Sequence, residues 1–341
     1  MKLGIMGHGP IVGGFLEAAG RVRQAELCAI YNRPSSAAEG AALAARYQIP
    51  STYQDFDAFL EDTTVDTVYI ALPNSLHYSY ALRVLEAGKH AIVEKPFTAN
   101  AAQAAHLAET ARAKGLFIFE AITVCYLPHV QKLRELLPRI GDLSLVQCNY
   151  SQYSGRYDRL MEGQRTNMFD LRFAGGSLMD LNSYNIHFAV FLFGEPASIH
   201  YCPRIGPGGI DTAGIAVLQY DSFTVSCAAA KDSSSPCFAM VQGRQGCLSI
   251  DGPVNASPSL TLEMRGGHTE HFSLQTGENR LVYELTEMER ILSEHDVTAH
   301  DRLLSHSLLV ARVLETARRS AGILFPCDET EIPESFCHHR G

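Results

Sequence analysis

Up to residue 121 the chain alternates short, continuously apolar runs with longer stretches whose apolar residues recur at helical spacing. The runs at 2–6, 26–31, 67–72, 90–93 and 116–120 show no polar alternation, which predicts strands buried on both faces. Between them, 11–19, 37–47, 76–87 and 101–114 predict helices, the last two stopped by Gly88 and Gly115. Such strands joined by crossover helices form a parallel sheet. Beyond residue 122 the pattern changes. One long alternating run covers 143–153, and short strands are predicted at 199–204, 215–220, 223–228, 238–242, 247–250 and 260–264. Turn residues such as Asp221-Ser222 and Asp251-Gly252-Pro253 separate them, as in a mostly antiparallel sheet. Helical patterns at 127–137, 183–193 and 303–321 interrupt this region.

The expected fold is α/β: an N-terminal Rossmann domain over 1–121 and a C-terminal α+β domain with a mostly antiparallel open sheet over 122–330. The 341 residues suffice for two cores. Composition changes the picture mainly by exclusion. With 46 % hydrophobic and 19 % charged residues the chain is ordinary globular protein. A net charge of −9 without a basic run argues against nucleic acid and anionic membrane as partners. No apolar stretch reaches spanning length, and glycines break up the apolar N-terminus, which argues against a signal peptide. Nine scattered cysteines with no CxxC pair argue against a disulfide framework and a zinc site, and fit a reducing cytoplasm. The tail Cys337-His338-His339-Arg340 reads as an exposed end rather than a metal site.

Candidate chemistry begins where the first run meets Gly7-His8-Gly9-Pro10-Ile11-Val12. Glycines here permit a sharp turn and let the backbone approach a pyrophosphate, and the following helix aims free N–H groups at it. Pro10 suits the first helical turn. Val12 stands where the dinucleotide fingerprint has glycine or alanine. The second run ends Ile30-Tyr31-Asn32-Arg33-Pro34-Ser35, without the carboxylate that NAD sites use for the ribose 2′-hydroxyl. Arg33 can instead bind a 2′-phosphate, with Ser35 adding a hydroxyl. The expected cofactor is therefore NADP in preference to NAD, with Asn32 and Arg33 at its adenosine end.

Two further segments resemble one family. Ala71-Leu72-Pro73-Asn74-Ser75-Leu76-His77 leads to Ala87-Gly88-Lys89-His90-Ala91-Ile92-Val93-Glu94-Lys95-Pro96, and later Gly175-Gly176-Ser177-Leu178-Met179-Asp180-Leu181-Asn182-Ser183-Tyr184 is closed by Leu192-Phe193-Gly194-Glu195-Pro196. In this the chain is similar to the Gfo/Idh/MocA oxidoreductases, nearer their diol dehydrogenase and glucose–fructose oxidoreductase branches. The resemblance implies a Rossmann domain followed by an open sheet that often mediates association, so a homo-oligomer, dimer or tetramer, is expected. It implies a small hydroxy or carbonyl substrate such as a sugar, polyol or diol. It also gives cofactor contacts to Leu72, Pro73, Asn74, His77, Glu94 and Lys95.

Hydride transfer at an alcohol carbon needs a group that holds the hydroxyl proton. Lys95 ends a buried strand at the carboxyl edge, where open α/β sheets bind ligands. Partial burial is expected to lower its pKa, and the resemblance turns it toward the substrate oxygen. Asp180 and Tyr184, four apart at a helix start, can share a face. The resemblance assigns acid–base work to Tyr184, with Lys95 lowering its pKa and Asp180 as orienter; Lys95 and Tyr184 can exchange roles. The plainer readings are an N-cap for Asp180, core for Tyr184, and a surface pair with Glu94 for Lys95. Tyr150, Tyr153, Arg156, Tyr157, Arg165 and Asn167 are further candidates for the cleft. Two alternatives keep the fold: a hydrolase that uses the dinucleotide transiently, as in glycosidases resembling this family, and a non-catalytic dinucleotide sensor.

Overall fold

The computed structural model describes residues 1–276 and 279–329. Six parallel strands form the first sheet: β1 (Lys2–Met6), β2 (Glu26–Tyr31), β3 (Ser51–Tyr53), β4 (Thr67–Ile70), β5 (His90–Glu94) and β6 (Ile118–Ala121), in the order β3-β2-β1-β4-β5-β6. Strand order reverses between β1 and β4, and the carboxyl ends diverge there into a crevice. Every residue of β4 is buried, as expected of a strand covered on both faces. The crossovers are α1 (Pro10–Ala19), α2 (Ala37–Tyr47), α3 (Phe56–Leu60), α4 (His77–Glu86) and α5 (Ala101–Ala113). Val12 is buried against β1 and β2 side chains, so the larger residue at the third fingerprint position is accommodated by core packing.

The second sheet has eight strands. After α6 (Pro128–Leu136) come β7 (Leu143–Ser151), α7 (Gly155–Met161), α8 (Ser183–Phe193), β8 (Ser198–Ile205) and β9 (Asp211–Gln219). Then follow β10 (Thr224–Ala230), β11 (Phe238–Gly243), β12 (Gly246–Asp251), β13 (Leu260–Met264) and β14 (Thr269–Phe272). Their order is β14-β13-β12-β11-β7-β10-β9-β8, antiparallel except for the β7–β10 pair. One face alternates buried apolar residues, Val146 and Cys148, Val225 and Cys227, Leu248 and Ile250, and α8 lies on it. Because α8 is sandwiched, all its residues from Ser183 to Val190 are buried. Burial of a side chain such as Phe188 contributes about 2–3 kcal/mol.

Five elements had no counterpart among those the sequence pattern predicts: β3, α3, α7, β14 and α9 (Leu281–Glu294). The final helix, α10 (Val297–Ser320), starts earlier than its apolar pattern indicated, where Asp296 caps it by accepting the Ala299 N–H. α9 returns to the first sheet: Leu281, Leu285, Met288 and Ile291 share a core with Leu16 and Tyr69. Among the described residues no helix is long and apolar enough to cross a membrane. The tail motif Cys337-His338-His339-Arg340 and residue 330, the expected end of the second domain, lie outside the described residues.

Candidate active site

A cleft of ≈ 840 Å³ opens at the carboxyl edge of the parallel sheet, with the second sheet and its loops as its other wall. Its nucleotide end begins at Gly7, whose φ of +112° and Cβ position, 2.3 Å from the Ala71 carbonyl oxygen, admit only glycine. Gly9 caps α1, and nothing lies within 4 Å of where its Cβ would be, so the space in front of the helix N-terminus is open. Pro10 and Ile11 line the same wall.

Asn32 is buried where a carboxylate would otherwise stand. Its Oδ1 lies 3.1 Å from His8 Nδ1, and its buried Nδ2 has no partner among the described residues. Gly40 packs against this amide so closely that a Cβ would sit 2.2 Å from Nδ2. Arg33 is exposed on the cleft rim. The hydroxyl beside it belongs to Ser36, not Ser35: the chain enters a 3-10 turn at Pro34, which turns Ser36 inward and leaves Ser35 exposed. An open helix N-terminus, an orphaned amide donor and a guanidinium on one wall fit the phosphates and ribose of a dinucleotide.

Leu72, Pro73 and Asn74 line the middle of the cleft. Asn74 Nδ2 donates to the Ala174 carbonyl at 2.8 Å and so ties the two halves of the chain. His77 does not reach the cleft. It is fully buried, with Nδ1 2.9 Å from the Pro96 carbonyl oxygen and Nε2 2.8 Å from that of Leu72. It braces the β4 and β5 exits from behind.

The chemical end gathers residues from remote parts of the chain. Lys95 follows β5 and extends Nζ to Asp180, donating to Oδ1 at 2.7 Å and to the backbone carbonyl at 2.9 Å. Asp180 also accepts, on Oδ2, from Lys231 at the end of β10, so one carboxylate joins two ammonium groups. Lys95 Nζ sits 4.7 Å from the centre of the Tyr184 ring. None of the side-chain hydrogen bonds of this cluster engages the Tyr184 hydroxyl. Glu94 takes no part in an ion pair with Lys95 Nζ. Its carboxylate accepts the Tyr69 hydroxyl at 2.6 Å and the Lys95 backbone N–H at 3.2 Å.

Asp180 is not an N-cap. It lies inside a π-helical turn, Leu178–Asn182, that precedes α8. The turn is anchored by Asp211, whose Oδ2 accepts the Leu178 N–H and the Tyr201 hydroxyl, each at 2.7 Å. Gly176, at φ +103°, makes room for that carboxylate, since a Cβ there would lie 2.0 Å from Asp211 Oδ1. Asn182 donates to the Cys227 carbonyl at 2.9 Å and fixes the helix start to β10. Asp180 and Tyr184 thus reach the same wall through a widened turn rather than a regular first turn.

The electrostatics differ from expectation. Burial by itself lowers the Lys95 pKa, yet Asp180 more than reverses this and holds the ammonium above the ordinary lysine range. Burial raises the Asp180 carboxyl, but Lys95 and Lys231 together hold it well below the usual carboxylate range. Tyr184 is pushed up to about 12, chiefly by burial, with Lys95 pulling the other way. The two expected lowerings fail for opposite reasons: an anion 2.7 Å away outweighs desolvation at Lys95, and desolvation outweighs the cation at Tyr184.

Tyr150, Arg156, Arg165 and Asn167 line the cleft, whereas Tyr153 and Tyr157 do not; Tyr153 turns outward to Asp158. Lys231, Asn255 and Arg280 line it without having been foreseen. Asn255 Nδ2 donates to the Tyr150 hydroxyl at 3.3 Å. The readable trace of Lys231 is a lone cation closing the apolar run Ala228-Ala229-Ala230.

Comparison with known proteins points to one family. Residues 1–121 match the model of an oxidoreductase family with an NAD-binding Rossmann fold, and 130–249 match a GFO/IDH/MocA C-terminal domain. A scyllo-inositol 2-dehydrogenase (NADP(+)) of Bacillus subtilis is 31 % identical over 329 residues, covering 96 % of this chain and 99 % of the relative. A trans-1,2-dihydrobenzene-1,2-diol dehydrogenase of Sus scrofa is 29 % identical over 304 residues, covering 84 % of this chain and 86 % of that one. The crystal structure of KijD10, a 3-ketoreductase of Actinomadura kijaniata in complex with NADP and TDP-benzene, superposes with a TM-score of 0.81. It is 22 % identical and covers 93 % of this chain and 97 % of that one, a likeness of fold.

Proposed function

The chain belongs to the Gfo/Idh/MocA family of oxidoreductases, and we propose that it is an NADP-preferring dehydrogenase or reductase of a sugar, polyol or diol. The observation that carries this reading is the convergence of Lys95, Asp180 and Tyr184 on one wall of a cleft whose other end fits a dinucleotide. Residues 7–11, Asn32 and Arg33 hold the adenosine diphosphate half, and Leu72, Pro73, Asn74 and Glu94 flank the nicotinamide half. The bound nicotinamide supplies or takes up the hydride at the substrate carbon.

The remaining work falls to side chains of this chain. At neutral pH Lys95 and Tyr184 both hold their protons. Two Lys95 N–H bonds go to Asp180, whereas the Tyr184 hydroxyl is uncommitted. Tyr184 therefore meets the substrate oxygen, gives its proton as a carbonyl is reduced and takes it back as an alcohol is oxidised. The Lys95 ammonium lies beside the phenol and stabilises the phenolate or alkoxide charge as it develops. Asp180 fixes the ammonium, and Lys231 fixes Asp180.

NADP preference follows from Arg33 on the rim and the absence of a carboxylate at the β2 end, and it matches the cofactor in the name of the inositol dehydrogenase relative. We assign cofactor binding to residues 1–121 and substrate binding and association to residues 122–330, in a cytoplasmic homo-oligomer. The test is a screen of polyols, sugars and diols followed by NADPH absorbance, with NADPH and NADH dissociation constants measured alongside. Turnover that survives both Lys95→Met and Tyr184→Phe would end this mechanism.

A further inference from the structure

Behind the active-site helix lies a group of side chains that the reaction does not use. Cys125 ends the turn after β6, His187 sits one helical turn beyond Tyr184 on α8, and His306 belongs to α10. One donor atom from each lies within 4.8 Å of the other two. Cys125 and His187 are buried, and His306 is half-buried. We propose that these three residues bind one zinc ion, a site of which the cysteine spacing along the chain bears no sign.

Four observations support a metal over a mere buried polar cluster. First, the donor set is right. A thiolate with two imidazoles is a soft, nitrogen–sulfur set that suits zinc. His187 Nδ1 and His306 Nε2 are 3.0 Å apart, close to the roughly 3.3 Å edge of a tetrahedron with ordinary zinc–nitrogen bonds. Second, the outer partner is in place. His187 Nε2 lies 3.3 Å from Glu120 Oε1, the carboxylate–histidine arrangement that fixes a ligating imidazole with its other nitrogen free for the metal. His187 Nε2 and Glu120 Oε2 are both buried without a well-aligned hydrogen bond among the described residues, so the pair awaits a small ring rotation.

Third, the charges close. Glu120 is buried, and the His187 imidazole lies 3.3 Å from its carboxylate. A divalent ion with one thiolate, one carboxylate and two neutral imidazoles sums to zero, which a dry interior favours. Binding releases the Cys125 thiol proton to solvent. Fourth, there is room and a way in. A void of ≈ 10 Å³ bounded by Glu120, Cys125 and His306, about the size of one water, adjoins the donors. A separate cavity of ≈ 640 Å³ reaches Cys125 and His306 between Tyr126, Tyr283 and Arg302, and it shares no lining residue with the cofactor cleft. Water from that side fills the fourth coordination position. The ion ties the β6 exit, α8 and α10 together directly behind Tyr184.

The experiment strips the full-length protein with a chelator and titrates it with Co²⁺ alone, read by absorbance. The expected result is about one Co²⁺ per chain, with a thiolate-to-cobalt band in the near ultraviolet and the visible bands of a four-coordinate ion. Cys125→Ser abolishes the ultraviolet band. His306→Gln and Glu120→Gln weaken binding, the latter by about 10–100-fold. Zinc competes for the site and raises the unfolding temperature of the parent protein but not of Cys125→Ser. Because Cys337, His338 and His339 can bind cobalt themselves, Cys337→Ser/His338→Gln/His339→Gln is titrated in parallel and keeps the full signal. NADPH binding by each variant reports its folding. Absence of the band in the parent protein, its survival in Cys125→Ser, or its loss in the tail variant each overturns the proposal. Should Cys125→Ser fail to fold, the parent and tail titrations decide alone.

Discussion

At the nucleotide end of the cleft the working surface is mostly backbone and comes from two short consecutive pieces, residues 7–11 and 31–36. At the chemical end it is all side chain, and its three charged members, Lys95, Asp180 and Lys231, are separated by 85 and 51 residues along the chain. The first end needs space and a positive helix terminus, which a strand, a glycine turn and a helix supply locally. The second needs an anion between two cations and a phenol beside one of them, which only a particular docking of the two sheets supplies. The first should therefore lose affinity by small steps when altered, and the second should lose turnover by large ones.

The largest expected effect is at Lys95. Lys95→Met should cut turnover by about 10³-fold or more, since it removes the charge beside the reacting oxygen. NADPH affinity should change by less than about threefold, given that phosphate binding lies elsewhere. Steady-state rates and NADPH fluorescence titration measure the two quantities, and a parallel loss in both would erase the contrast between the ends. Tyr184→Phe follows, with a loss of about 10²–10³-fold in turnover. Near-normal turnover in that variant would pass the proton role to Lys95.

Lys231 comes next. Lys231→Met should lower turnover by about tenfold by loosening Asp180, and it sharpens the contrast through stability as well. The Asp180 carboxyl is held below its unfolded value, so its pairing stabilises the fold at every pH above about 4 and is lost as pH falls through the native value. Urea unfolding should thus show the parent more stable than Lys231→Met by about 1.5–3 kcal/mol near pH 7, the worth of one charged hydrogen bond. That gap should narrow as pH drops below about 4. A gap that stays constant from pH 7 to pH 3 would show that Lys231 acts by packing alone.

The smallest effects belong to the nucleotide end. Gly9→Ala meets no protein atom, so it should weaken cofactor binding by about tenfold, as the methyl stands in the phosphate approach. Its unfolding temperature should be unchanged. Gly7→Ala, which meets a carbonyl oxygen at 2.3 Å, should instead cost stability, by about 1–3 kcal/mol. Arg33→Ala should weaken NADPH by about tenfold at low salt and leave NADH unaffected. Equal losses for the two cofactors would remove the basis for NADP preference.

Legibility along the chain follows the same division. β2, α2, α8 and β13 lie where their patterns put them, because burial on both faces or on one stripe leaves a strong periodic trace. β3 has three residues, all partly exposed or exposed, too few for a period to register. α9 did carry a readable stripe in Leu281, Leu285, Met288 and Ile291, but it belongs to a core begun more than two hundred residues earlier. At the site, the glycine turn, Lys95 and Tyr184 were readable as motifs. Ser36, Lys231, Arg280 and the withdrawal of His77 from the cleft were not, as each depends on a local turn or on a partner remote in sequence.

Residue order alone determined the two kinds of sheet, the dinucleotide turn and the presence of a lysine and a phenol suited to proton work, since periodicity, glycine placement and residue chemistry act over a few neighbours. Tertiary structure decided how those groups are charged and what they touch. Coulomb attraction falls with distance through space, whatever the count of intervening residues. The 2.7 Å between Lys95 and Asp180, and the burial of Tyr184, exist only once the second sheet has docked.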